Sequence, residues 1–295
     1  MSRNVATLIG FMAVMSWALL ALLTVASTPV PPLLLNALCF GIGGAAGMVW
    51  LIATGGLGRL RAVPAGVYLF GTLGLAGYHL LYFSALRLAP PAEAGLIAYL
   101  WPLLIVLGSG LLPGESLRPL HLIGAALAFG GATLILVQGM GGNTEGAGRH
   151  LAGYALALVA ALTWTSYSLG SRLLGAQPTA AVAVYCLLAA ALSAAAHLAF
   201  ETAAWPGSAL GWAAVIGLGL GPVGLAFFAW DIGVKRGDIQ LLGTAAYAAP
   251  LLSTLVLVGA GVAPATPALL LATAMITGGA ALAARAGKAR GVSSR

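Results

Sequence analysis

Apolar runs of about twenty residues follow one another along nearly the whole of this chain, and a run of that length is what an α-helix needs to cross a hydrocarbon layer. Such a chain has few options. With no water in a bilayer core, backbone N–H and C=O groups must pair within the protein, which leaves helices or closed barrels. Barrel strands would give shorter, alternating segments. Charge is correspondingly scarce: 6% of the 295 residues are charged and 61% are hydrophobic, against about 25% charged in soluble domains. The reading is an all-α polytopic membrane protein with ten transmembrane helices, near 5–25, 32–54, 64–86, 92–111, 119–138, 151–171, 179–200, 209–235, 239–260 and 266–285. The connections are short and rich in turn residues, as at Pro29-Val30-Pro31-Pro32, Gly55-Gly56, Pro113-Gly114 and Gly141-Gly142-Asn143, and leave no room for a soluble domain.

Basic residues set the expected orientation. With the N-terminus in the cytoplasm, eleven of the 13 Lys and Arg face inward: Arg3, Arg59, Arg61, Arg118, Arg172, Lys235, Arg236, Arg285, Lys288, Arg290 and Arg295. Only Arg87 and Arg149 face outward. Both termini are therefore expected inside, with residues 288–295 as a basic cytoplasmic tail. The net charge of +7 sits singly in loops, without the basic stripe of a nucleic-acid binder.

Much of the chain repeats itself. Trp17 and Cys39 recur 147 positions on as Trp164 and Cys186; Gly71, Gly95, Tyr99 and Pro102 recur 148 positions on as Gly219, Gly243, Tyr247 and Pro250. The expected division is a first five-helix repeat at 1–140 and a second at 149–287. An odd number of helices per copy makes the second insert upside down, the inverted repeat typical of secondary transporters. Residues 1–28 imitate a signal peptide, with Arg3, an apolar run and Val25-Ala26-Ser27. Because Ser16-Trp17 has its counterpart at Thr163-Trp164, that segment is expected to stay as the first helix.

Ionisable groups inside a membrane are costly and mark function. His79 lies deep in the third helix; Asp231 is one turn before Lys235, where an ion pair is the plainer expectation. His197 and Glu201 read as an interfacial pair, and Glu93 and Glu115 as solvated. Trp17, Tyr78, Tyr82, Tyr99, Trp101, Trp164 and Tyr247 lie too deep for an interfacial belt. Buried phenols and indoles need hydrogen-bond partners, so together they point to a cavity of mixed character. Pro102 and Pro250 are expected to break their helices and free the carbonyls of Ala98 and Ala246. Cys39 and Cys186 read as small buried hydrophobes. Glycine stripes at Gly71, Gly74, Gly77 and at Gly217, Gly221, Gly224 read as packing seams. No catalytic motif, metal-ligand motif, cofactor signature or phosphate-cradling loop is present in the sequence.

The Ser16-Trp17 helix and its repeat, YHLLYFSAL at 78–86, AYLWPLL at 98–104 and the Gly130-Gly131-Ala132 close of the first repeat resemble the drug/metabolite transporter superfamily in its EamA-type branch. The resemblance covers essentially the whole chain. It implies alternating access around a central cavity in the bacterial inner membrane, and the 78–104 stretch is similar to that branch's aromatic amino-acid exporters. The substrate it implies is a small molecule, an amino acid with aromatic ones favoured; beyond it and the lipid bilayer, no nucleic-acid or protein partner is expected. Tyr78, His79, Tyr82, Tyr99 and Trp101 become the pathway candidates. Phe227 and Ala249 stand in the second repeat where the first has His79 and Trp101, so an asymmetric site is expected. A carrier of hydrophobic cations or nucleotide sugars on the same fold, or a membrane enzyme or assembly protein without transport, stays open at this stage.

Overall fold

A computed structural model describes residues 1–110, 117–140, 144–174, 177–237, 242, 246 and 248–288. Among them every regular element is a helix: α1 (Arg3–Ala18), α2 (Leu20–Ala26), α3 (Pro32–Ala53), α4 (Ala65–Leu88), α5 (Pro91–Ala98), α6 (Trp101–Ser109), α7 (Pro119–Met140), α8 (Thr144–Leu173), α9 (Ala181–Phe200), α10 (Ala209–Leu220), α11 (Leu225–Arg236), α12 (Ala249–Gly259) and α13 (Pro267–Lys288), with a 3₁₀ turn at Gly56–Ala62. Among the described residues four runs are long and apolar enough to cross a membrane: Pro32–Ala53, Ala65–Leu88, Ala181–Phe200 and Ala209–Gly233. The bent pair α1–α2 makes a fifth. The chain is a multi-pass helical membrane protein.

Among the described residues three of the expected helices are interrupted, the first and eighth without having been expected to be and the fourth close to the break expected at Pro102. The first bends by 43° between α1 and α2, at Leu19, whose N–H bonds Ser16 O three residues back. The fourth stops at Tyr99–Leu100, between α5 and α6. The eighth opens at residues 221–224, between α10 and α11. There Pro222 has no N–H to give Leu218 O, and Val223 N–H takes that carbonyl at 3.0 Å, one residue late. Pro102 stands in the first turn of α6 and Pro250 in the first turn of α12, where a missing N–H costs nothing. Each therefore starts a new helix; the break expected at Pro102 falls before the proline, at Tyr99–Leu100, and the one expected at Pro250 borders residues outside the described ones. Residues 243–245 and 247, just before α12, lie outside the described residues, as does Glu115.

Small residues govern how the helices meet. α3 runs antiparallel to α9: a Cβ on Gly44 would meet Leu187 at 2.9 Å, and one on Gly47 would meet Ala183 at 3.1 Å. α7 and α13 approach closer still. A Cβ on Gly124 would lie 2.5 Å from Gly279 O, and one on Gly279 would lie 2.4 Å from Gly124 O. Cβ-to-backbone distances of that size are not tolerated, so two glycines are the condition for this contact. Elsewhere the seams hold rings: positions 71 and 74 of α4 seat Tyr185 and Tyr167. Asn36 on α3 adds a polar tie, donating to Ala76 O at 3.1 Å and Ser193 Oγ at 3.0 Å and so joining α3, α4 and α9. Cys39 and Cys186 are both buried free thiols.

Replacing Gly279 with Val should push α13 off α7 and lower stability by about 1–3 kcal/mol, read as a fall in Tm of several degrees in detergent. Gly66→Ala, where an added Cβ meets nothing within 4 Å, should leave Tm unchanged or slightly higher. A Gly279→Val protein as stable as the parent would rule out the close approach.

Candidate functional site

The three helix breaks lie side by side, and two side chains join them. Trp17, at the end of α1, donates its indole N–H to Pro222 O in the α10–α11 turn at 3.2 Å. Tyr99, in the α5–α6 turn, donates its hydroxyl to Trp17 O at 2.8 Å. Carbonyls at two of the three interruptions are thus taken by side chains from another, the satisfaction that backbone in hydrocarbon requires. A side chain bonded into the ladder at Trp17 O also accounts for the α1–α2 bend, which contains neither Pro nor Gly.

Around this junction a narrow void of about 20 Å³ is lined by Trp17, Leu20, Tyr78, His79, Tyr99, Trp101, Trp164 and Phe227. That is room for about one water. The rings touch in sequence: Tyr78 lies 5.0 Å from Trp164, Trp164 lies 6.2 Å from Trp101 and 5.8 Å from Phe227, and Phe227 lies 6.3 Å from Trp17. Six of the eight pathway candidates read from sequence therefore line one space. Tyr82 stacks behind Tyr78 at 5.9 Å, and its buried hydroxyl has no partner among the described residues. Tyr247 lies outside the described residues. His79 does both things expected as alternatives: it lines the void and its Nδ1 bonds Leu75 O at 2.9 Å. A carbonyl only accepts, so Nδ1 carries the proton. Phe40, Phe83, Phe227 and Tyr78 surround the imidazole at ring distances of 5.1, 5.8, 5.7 and 4.9 Å. No carboxylate lines the void among the described residues.

Trp17, Trp101, Trp164 and Phe227 also form the floor of a vestibule of about 640 Å³. Its walls carry Tyr167, Tyr185, Trp230, Ser168 and Ser171, and its mouth lies by Val67, Leu174 and Gln177, the end of the bundle that holds the arginine-bearing 3₁₀ turn. Asp231 lines this vestibule and accepts a hydrogen bond from the Thr179 hydroxyl. The expected Asp231–Lys235 pair lies outside the described residues, because the Lys235 side chain is not among them.

The opposite end of α4, about 30 Å away at 1.5 Å per residue, is bound up in polar contacts. Arg87 donates through one nitrogen to Thr24 O at 2.9 Å and Thr28 Oγ1 at 2.6 Å, and through the other to Ser27 Oγ and Val30 O, both at 3.0 Å. Arg149 donates to Arg87 O at 2.9 Å, and Tyr154 donates to Glu93. Glu93 is thus engaged by protein, where the sequence reading had it solvated. The expected His197–Glu201 contact is present at 2.9 Å. Glu201 also accepts from Leu33 and Leu34 N–H at 2.9 and 3.1 Å, placing a carboxylate on the first turn of α3 where orphan N–H groups and the helix dipole favour it. Trp230, Tyr167, Tyr185, Pro222 and the Arg87 cluster were missed from sequence. The first three stand at ordinary helix positions, but Pro222 inside an apolar run was a visible signal of a break.

Tyr99→Phe removes the partner of Trp17 O and leaves that carbonyl unpaired among rings. The expected loss is about 1–3 kcal/mol, seen as a lower Tm with unchanged far-ultraviolet circular dichroism. An unchanged Tm would show that the bond between the two breaks contributes nothing.

The EamA-like transporter family matches this chain over residues 4–137. The chain is 54% identical over 285 residues to the aromatic amino acid exporter YddG of Ancylobacter novellus, covering 96% of this chain and 98% of that protein. It is 26% identical over 270 residues to the aromatic amino acid exporter YddG of Escherichia coli (strain K12), covering 86% and 88% respectively. A solved crystal structure of a protein 52% identical in sequence aligns over 97% of this chain and 100% of that one with a TM-score of 0.75. The named families and functions among these relatives are transporters and exporters, not enzymes.

Proposed function

Because the chain belongs to the EamA-like transporter family, we propose that it exports aromatic and other neutral amino acids across the inner membrane by alternating access. The observation that carries this is the ring-lined void at the blind end of the vestibule, with a polar cluster at the far end of α4. An aromatic side chain can stack among Tyr78, Trp164, Trp101 and Phe227. The polar groups of the substrate meet the indole and hydroxyl groups of the lining. One water's worth of space means that the rings must part to admit an amino acid.

The topology we propose is ten spans in two inverted repeats, 1–140 and 149–287, with 288–295 as a basic tail. Two facts support it. Under the 148-residue shift Gly124 becomes Ala272 and Gly131 becomes Gly279, so the contact of Gly124 with Gly279 predicts one between Ala272 and Gly131. A Cβ on Gly131 would lie 3.0 Å from Ala272 O. This is the reciprocal pattern of a two-fold interface. His79 and Phe227, also 148 apart, touch each other, as equivalents do beside a two-fold axis. With both termini cytoplasmic, the vestibule opens to the cytoplasm, from which an exporter loads, and the Arg87 cluster closes the outer end. A second reading, a carrier of hydrophobic cations, has one observation in its favour: Asp231 lines the vestibule.

Liposomes containing the purified protein and loaded with labelled phenylalanine or tryptophan should release them faster than protein-free liposomes. Trp101→Ala should raise the half-saturating tryptophan concentration about 5- to 10-fold, the size of one lost aromatic pair. Release at the protein-free rate for every amino acid tried, from protein with intact helicity, would reject the exporter. Competition by hydrophobic cations alone, abolished by Asp231→Asn, would favour the second reading.

His79 gives its Nδ1 proton to a carbonyl inside a cage of rings, and a buried imidazolium there would have no counter-charge. His79→Gln is therefore expected to keep whatever dependence on an imposed pH gradient the parent shows. Loss of that dependence in the variant would make His79 the proton carrier.

A further inference from the structure

A second pocket, of about 740 Å³, lies at the mouth end of the bundle and is separate from the ring-lined void. Trp50 and Arg59 line it from the end of α3 and the 3₁₀ turn, Gln177 and Thr179 from the connection before α9, and Ile232 and Arg236 from the last turns of α11. Two guanidinium groups from different elements thus face one space. Both are exposed, and neither forms an ion pair among the described residues.

The other donors are already engaged. Thr54, also in the lining, gives its hydroxyl proton to Trp50 O at 2.8 Å; Thr179 gives its own to Asp231, and Gln177 bonds Leu174 O at 2.8 Å. The pocket therefore offers chiefly charged, forked donors, which suit a phosphate better than a sugar or an amide. One rim is apolar. Trp50 and Ile232 form part of the lining, and the neighbouring Val49 and Ile52 are 66% and 61% exposed on the outer surface of α3. A tryptophan at a helix end, beside arginines, marks the depth of lipid headgroups.

We infer that this pocket binds the headgroup of an anionic phospholipid. The phosphodiester lies between Arg59 and Arg236, Trp50 meets the glycerol–acyl boundary, and the acyl chains run down the surface carrying Val49 and Ile52. A soluble phosphate ester shares the phosphate chemistry but makes no use of the apolar rim. Gln177 and Pro178 line both this pocket and the vestibule, so the lipid would sit beside the vestibule mouth. The inference stands on the membrane fold alone and not on which solute is exported.

Native mass spectrometry from micelles containing equal concentrations of dioctanoyl phosphatidylglycerol and dioctanoyl phosphatidylcholine tests it. One phosphatidylglycerol should be retained per protein in excess over phosphatidylcholine. Arg59→Gln with Arg236→Gln should cut that adduct roughly 5-fold per arginine, about 25-fold together, leaving the phosphatidylcholine signal and the lipid-free Tm unchanged. Arg61→Gln, in the same turn but outside the lining, should keep the adduct. Equal retention of the two lipids, an undiminished adduct in the double variant, or an equal loss in Arg61→Gln would each overturn the site. Binding of glycerol phosphate as strong as that of phosphatidylglycerol would overturn the lipid as its occupant.

Discussion

A helix interrupted inside hydrocarbon uncovers backbone groups that only protein, or a water or ligand sealed in with it, can satisfy. Among the described residues three helices are interrupted at one level, and the rest of the site follows from how these breaks are settled. The Trp17 indole reaches Pro222 O and the Tyr99 hydroxyl reaches Trp17 O. Groups able to span such gaps are large, flat and polar at one end. They cannot pack like leucines, and the space left between them is the void that Tyr78, Trp101, Trp164 and Phe227 complete. A ring-lined cavity is in this sense what remains after the broken helices have been repaired.

The proposed two-fold arrangement would also account for the difference between the two sides of the void. Where two related halves approach an axis, equivalent residues would compete for one place. His79 and Phe227 meet at 5.7 Å; two histidines there would set two polar rings against each other in a cage with few partners. The polar member sits in the half where Leu75 O can take its proton, and the apolar member fills the facing side. Of the six void-lining residues whose side chains carry a polar atom, five, Trp17, Tyr78, His79, Tyr99 and Trp101, come from before residue 140. Hydrogen-bonding capacity is thus concentrated in the first half, while the second supplies Trp164 and the apolar ring of Phe227.

Much of this was legible in the sequence, because the signals were periodic or chemically rare. Twenty-residue apolar runs gave the helices. Deep aromatic residues gave the lining, since a tyrosine or tryptophan in hydrocarbon is uncommon enough to demand a role. The bend at Leu19 was not legible: no proline or glycine marks it, and its cause is a tyrosine eighty residues away. The roles of Arg87 and Glu201 were hidden for a similar reason. From sequence Arg87 is an outward-facing charge near a helix end and Glu201 the partner of His197, but each also serves an opposite loop or helix start that only the fold brings near. The break near Pro102 was legible but its exact place was not, because the sequence shows where a proline is and not whether a helix has already ended before it.

The two polar assemblies differ in what water can do for them, and that difference decides which can move. At the Arg87 end the partners are carbonyls and hydroxyls of α2 and of the loop after it; Thr24, Ser27 and Val30 are buried, but Thr28 beside them is exposed to solvent. If that end opens, water replaces each lost bond, so the net cost is about 0.5–1.5 kcal/mol per bond. Four such bonds sum to a few kcal/mol, the gap over which two conformations exchange and a ligand can shift the balance. At the junction of the breaks the void has room for about one water, so parting Tyr99 from Trp17 O would leave a carbonyl with few replacement donors among rings. The Arg87 contacts are therefore suited to open and close, while the Trp17–Tyr99–Pro222 junction is suited to persist as a fixed point.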